Sequence, residues 1–456
     1  MRNRILMPAL LLAIAAGCDG PLDVTSKDKV PTETSITDSS SAHAAVAGMY
    51  HGLQSLDSYG ESIPELGDLS ADNAEFSGTS TSYGEIDDNQ ITVFNTAVLS
   101  LWASAYDNIN RANEILDKVG ALGNIDADTK AEMMGEAYFV RALMYHDLVK
   151  FFGDVPIQLH ATTDPHAGAS ITRSPVSAVY DLILKDLDSA QAGISDDEST
   201  TTASAGAVRA LRTRVLFYMG DYSGAESEAN VVETDFGYSL APNYSDLFSA
   251  NGSATPEDIF KVIATPLSAQ ESFLSYDYFA KAVGGTYLLR PTDGMMTAYD
   301  SSFDNEEDDP DQYQPTDLRG QWNIKFAGSR QYGAKYRSIT GTENFPVLRL
   351  GEIILIRAEA LARTAHLPEA VSELNLIRAR AGEGNYVLGT HTTQEVIDAI
   401  VAERRLELAF EGDRWFDLNR LGITPDVMGI DATQELYPIP QSEIDVAPGL
   451  TQNPGY

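Results

Sequence analysis

The chain has 456 residues, 43% hydrophobic and 21% charged, a balance that excludes a disordered polymer and leaves room for a large core. It carries 31 Lys and Arg against 67 Asp and Glu, a net charge of −36. Such a surface repels nucleic-acid phosphates and anionic lipid headgroups, so neither is an expected partner. Cys18 is the single cysteine, which excludes an internal disulfide and a cysteine-rich metal site.

Arg2 and Arg4 precede an apolar run at 5–16 that is too short for a bilayer, which takes about 20 residues. Residues 1–17 therefore read as a signal peptide. Ala15-Ala16-Gly17-Cys18 has the form of a bacterial lipoprotein cleavage site, with Cys18 as the lipidated first residue. Residues 18–40, rich in Asp, Ser, Thr and Pro, form the expected tether, and 41–456 a single folded domain.

Helical spacing begins near 41, where Ala45, Met49, Leu53 and Leu56 share a face. Further helices are expected at 97–119, 128–152, 175–192, 204–219 and 222–234. Gly153 and Pro156 end the second of these. Tyr218-Met219-Gly220-Asp221-Tyr222 followed by Ala225 is how a tetratricopeptide helix pair turns. Similar pairing is expected at 346–364 and 367–381, and a last helix at 393–411. The scaffold is thus assigned to 41–57, 97–235 and 343–420. The stretches 58–96 and 236–342 lose helical spacing, and long ordered loops of this kind usually carry function. The tail 436–456 is extended, because Pro438, Pro440, Pro448 and Pro454 break a helix.

No GxGxxG, P-loop, HExxH or GxSxG motif is present, and seven histidines are scattered. No catalytic residue and no cofactor is expected. The acidic run at 304–311 lacks the glycine of an EF-hand loop and reads as a solvated charge run; a weak calcium site there has no other support. What stands out is aromatic density in the two irregular stretches. Flat rings stack on sugar faces, while Asp, Asn and Arg bind hydroxyls. The candidate ligand residues are Asp72, Asn73, Phe76, Tyr83, Asn89, Phe94 and Asn95 in the first stretch. The second supplies Tyr276, Tyr278, Tyr287, Arg290, Tyr299 and Trp322. The competing assignment for each aromatic is packing of the loops onto the helices. Trp102 and Trp415 are assigned to packing outright. Arg141 and Arg404 lie on apolar helix faces and require an acid such as Glu136 or Glu407, or a helix C-terminus.

Several segments together resemble the SusD/RagB family of outer-membrane lipoproteins. They include Gly135-Glu136-Ala137-Tyr138-Phe139-Val140-Arg141-Ala142-Leu143 with Phe151-Phe152-Gly153-Asp154-Val155-Pro156. Lys335-Tyr336, Leu348-Arg349, Glu352 and Ala358-Glu359-Ala360 continue the pattern. Glu403-Arg404-Arg405-Leu406-Glu407 through Gly412-Asp413-Arg414-Trp415-Phe416-Asp417 and Leu436-Tyr437-Pro438-Ile439-Pro440 complete it. The resemblance implies a mainly α fold, with four tetratricopeptide-type helix pairs on one side and ligand-binding loops on the other. It also implies an outward-facing protein, lipid-anchored in the outer membrane, that passes oligosaccharides to a SusC-like TonB-dependent transporter. A peptide importer of the same type, a surface hydrolase and a pure scaffold are the alternatives. The matched motifs are scaffold residues, so no ligand residue carries over from them.

Overall fold

The computed structural model describes residues 35–162, 171–195, 199–248, 253–264, 272–303, 309–338 and 344–456. The signal peptide, Cys18, most of the tether and residues 304–308 of the acidic run lie outside them. The first half of the chain contains α1 (Ser39–Leu53), α2 (Ser62–Leu69), β1 (Ala74–Phe76), α3 (Thr81–Asp87), α4 (Thr96–Lys118), α5 (Ala127–Phe152), α6 (Val176–Gly193), α7 (Ala205–Met219) and α8 (Tyr222–Asp235). The loop-rich half follows with β2 (Asp258–Val262), α9 (Leu274–Tyr278), β3 (Leu289–Pro291), α10 (Asp293–Tyr299), α11 (Leu318–Asn323), β4 (Ile324–Ala327), β5 (Arg330–Gly333) and β6 (Phe345–Arg349). It closes with α12 (Leu350–Arg363), α13 (Leu367–Arg380), α14 (Thr393–Glu407), α15 (Arg414–Leu421), α16 (Thr424–Met428) and α17 (Gln441–Val446).

Local chemistry sets the helix ends. Asp38, Asn95, Asp126 and Ser204 each accept a backbone N–H at the start of α1, α4, α5 and α7, satisfying donors that the helix leaves free. Thr392 and Glu395 close a capping box on α14. The α7–α8 turn rests on Gly220 at φ 79°, a conformation that costs a residue with a Cβ, and Asp221 caps the next helix. Helix α5 packs between α4 and α6; α12 packs on α8, α13 and α14. Buried Ala225, Ala229, Ala358, Ala362 and Ala370 let these last helices approach closely. No described helix is long and apolar enough to cross a membrane.

Two expected helices are corrected, and so is the extended tail, since α17 (Gln441–Val446) starts directly after Pro440, where a proline is tolerated before a helix. Residues 345–349 form a strand, because β6 pairs antiparallel with β2 and buries all five of its residues; the helix starts at Leu350. The helix expected to reach 411 ends at Glu407, and Phe410 takes φ 64° beyond it. The irregular stretches also hold a β4–β5 hairpin and an antiparallel β1–β3 pair that joins the two stretches. Helix α2 crosses the turn at Gly412 so closely that a Cβ on Gly67 would meet the Gly412 carbonyl oxygen at 2.2 Å.

Trp102 and Trp415 are buried, as the helical spacing implies. Arg141 and Arg404 are buried too, but their partners differ from the expected acids. Arg141 pairs with Asp186 on α6 at 2.7 Å, and Arg404 with Asp417 on α15 at 3.0 Å. These acids come from neighbouring helices, which sequence proximity does not reveal. Glu407 instead joins a buried network with Arg319, Arg349 and Arg380. Arg349 also reaches Glu257 and Glu411, and Lys335 pairs with Glu411. Burial pushes the Glu407 carboxyl up, but Arg380, Arg349 and Arg319 outweigh it and hold it well below the usual range.

Candidate functional site

Helix α11 has two faces. Arg319 is fully buried and reaches Asp317 at 2.7 Å and Glu403 at 2.6 Å; Gly320 and Asn323 are buried beside it. Asn323 donates to the hydroxyls of Tyr244 and Tyr299, which fixes the helix end. Leu318, Gln321 and Trp322 follow at helical spacing on the other face. They line a cleft of about 450 Å³, together with Asn243, Tyr244, Ser245, Lys325 and Arg337. A volume of this order suits a small ligand.

Trp322 is held by two partners. Its indole N–H donates to the Lys335 carbonyl at 3.1 Å. The Arg337 guanidinium stacks 3.2 Å from its ring centroid and donates to the Trp322 carbonyl and to the Ala334 carbonyl. Leu318 stays 47% exposed beside it. The polar lining consists of amides, hydroxyls and two cations, with no carboxylate. Burial lowers both Lys325 and Arg337 from their ordinary ranges, and Arg337 lowers Lys325 further. The cleft therefore presents an aromatic platform, braced by Arg337 and the Lys335 carbonyl, edged by hydrogen-bonding groups.

The other sequence candidates scatter. Phe94 is 76% exposed and Tyr276 is 37% exposed; Tyr276 stacks at 5.8 Å on Phe273. Phe76 and Tyr83 meet at 5.8 Å, and Arg290 pairs across β1–β3 with Glu75 at 2.6 Å. The remaining candidates have structural occupations. Tyr278 is buried against Phe410, Tyr287 donates to the Gln331 carbonyl, and Tyr299 donates to the Leu406 carbonyl. Asp72 is paired with Arg405 and Arg414, and Asn73 accepts from Arg405. Asn95 caps α4, and buried Asn89 donates to the Ser70 carbonyl. These six polar or aromatic side chains and Asn89 serve packing and capping, because loops also need their polar groups satisfied. Sequence reasoning missed Asn243, Ser245, Leu318, Gln321, Lys325 and Arg337; the face alternation of α11 around buried Arg319 was the one available signal.

Comparison with known proteins gives the family and the fold. A model described as SusD family matches residues 278–456, and one described as starch-binding associating with outer membrane matches residues 22–217. The chain belongs to the SusD/RagB family. SusD-like protein P2 of Formosa agariphila is 28% identical over 98% of both chains. Starch-binding protein SusD of Bacteroides thetaiotaomicron is 25% identical over 77% of both. A SusD superfamily protein of Bacteroides vulgatus superposes with a TM-score of 0.80 at 20% identity, covering 92% of this chain and 99% of the other. A laminarin-binding SusD-like protein gives 0.77 at 23% identity, covering 92% and 100%. The SusD fold thus runs from the helical scaffold through the loop-rich side, and this SusD-family chain is a binding protein rather than an enzyme.

Proposed function

We propose that this chain captures oligosaccharides at the cell surface, anchored through Cys18 in the outer membrane, and delivers them to a SusC-like TonB-dependent transporter. The cleft around Trp322 carries the reading. A fixed indole beside Gln321, Asn243, Ser245 and Arg337 pairs an apolar platform with hydrogen-bonding groups, which is what a sugar ring with its apolar face and rim of hydroxyls demands. Two relatives support the ligand class: one is named starch-binding and another laminarin-binding. Because Arg319 ties α11 to α14, the platform is set by the scaffold and needs little ordering on binding. The test is calorimetry of the mature chain with starch and laminarin oligosaccharides and with peptides, alongside Trp322→Ala. Saturable sugar binding that the variant loses supports the reading. Binding of peptides alone moves it to peptide import. Mass spectrometry of the mature N-terminus tests the anchor, and co-purification with a barrel partner tests delivery.

A further inference from the structure

Away from the Trp322 cleft, three acids converge between α2 and α9. One carboxylate oxygen from each of Glu61, Glu65 and Asp277 lies within 4.8 Å of the others. Glu65 is 0% exposed, and its Oε1 is buried with no hydrogen-bond partner. The Tyr83 hydroxyl sits 2.8 Å from Glu61 Oε1 and 3.1 Å from Glu65 Oε2, so one proton serves two carboxylates. Thr286 donates to Asp277 Oδ1 at 2.7 Å. Among the described residues, no Lys, Arg or His forms an ion pair with any of the three. Two buried carboxylates and a partly exposed one without a counterion are costly, and neutral hydroxyls offset only part of that cost.

We infer that Glu61, Glu65 and Asp277 form a binding site for a hard divalent cation, calcium by preference, that ties α2 to α9. The ligand set is all oxygen, which suits calcium and magnesium and disfavours softer metals. Calcium takes oxygen ligands at about 2.4 Å, so ligands on opposite sides of the ion stand about 4.8 Å apart. Three carboxylates, each able to bind through one or two oxygens, supply much of the six- to eight-fold shell that calcium takes. Water reaching the partly exposed Glu61 side completes it. Magnesium demands a stricter octahedron near 2.1 Å and fits side chains from two separate elements less readily. This site is independent of the glycan reading, since it shares no residue with the cleft.

The test is calcium titration of the mature, EDTA-stripped protein, followed by calorimetry and by melting, with magnesium as the second probe. Glu65→Gln, Asp277→Asn and, as a control on the strongly acidic surface, Glu75→Gln are run beside the native chain. The expected result is one saturable calcium site, at least tenfold weaker in Glu65→Gln and Asp277→Asn and unchanged in Glu75→Gln. The melting temperature of the native chain rises with calcium, while those of the two site variants do not. If Glu65→Gln fails to fold, Asp277→Asn, which removes a less buried charge, carries the test. No saturable binding at about 10 mM calcium, beyond the range of weak extracellular sites, overturns the inference. So does binding that is equal in all four proteins.

Discussion

Around Arg349 the protein buries carboxylates beside cations; beneath Tyr83 it buries them beside one another. In the first region Glu257, Glu407 and Glu411 face Arg349, Arg380, Arg319 and Lys335, and every one of these acids is contacted by a cation. In the second, among the described residues, Glu61 and Glu65 share the Tyr83 hydroxyl and Asp277 accepts from Thr286. The first network joins β6, α13, α14 and the loop side into one body, and it holds the helix that presents Trp322. It is self-sufficient. The second is incomplete as a charge arrangement, and completion from outside is what distinguishes a ligand site from a structural one.

The largest effect that sharpens this contrast is expected at Glu407. Glu407→Ala leaves Arg349, Arg380 and Arg319 short of a buried partner, and breaking such a network costs about 3–5 kcal/mol; urea unfolding measures it. Next, Arg404→Ala strands buried Asp417, although Arg420 still pairs with that carboxylate at 2.7 Å. A loss of about 3 kcal/mol is expected, with glycan affinity unchanged in the folded fraction. Unchanged melting with lost binding would refute that assignment. Truncating Trp322 acts the other way. Trp322→Ala is expected to weaken sugar binding by about 2 kcal/mol, roughly thirtyfold, while secondary structure is retained.

The smallest expected effect is a pH slope. Glu61 and Asp277 have folded-state values of about 7 and about 6, above their ordinary range, so the folded chain holds extra protons near pH 6. In calcium-free buffer their contribution to stability is complete at about pH 4 and is lost as pH rises through 6 to 7. Denaturation at several pH values reads the slope. Calcium, or Glu65→Gln, is expected to flatten it; a rising slope in this window contradicts the assignment.

The scaffold was legible because helix period and capping residues act locally. Gly153 and Gly220 sit where the sequence signals a stop, whereas Asn95, expected as a ligand residue, caps α4. The strand at 345–349 was not, since its apolar run becomes a strand only through pairing with β2, some 85 residues earlier. Partners of buried arginines were equally hidden, as Arg141 and Asp186 lie 45 residues apart. The ligand side was the least legible. Aromatic density pointed to the loops, yet Tyr278 at the end of α9, Tyr299 at the end of α10 and Tyr287 turn inward, because such short elements need large side chains to anchor them to the core. Trp322 alone among the candidates lies in the cleft, and its companions Gln321 and Arg337 carry no signature of their own.

The most direct measurement is calorimetric titration of the mature chain with starch and laminarin oligosaccharides, comparing native protein, Trp322→Ala and Arg404→Ala. Saturable binding without turnover is expected, lost or strongly weakened in Trp322→Ala and retained in folded Arg404→Ala. Full affinity in Trp322→Ala, or binding of no sugar by the native chain, would contradict it.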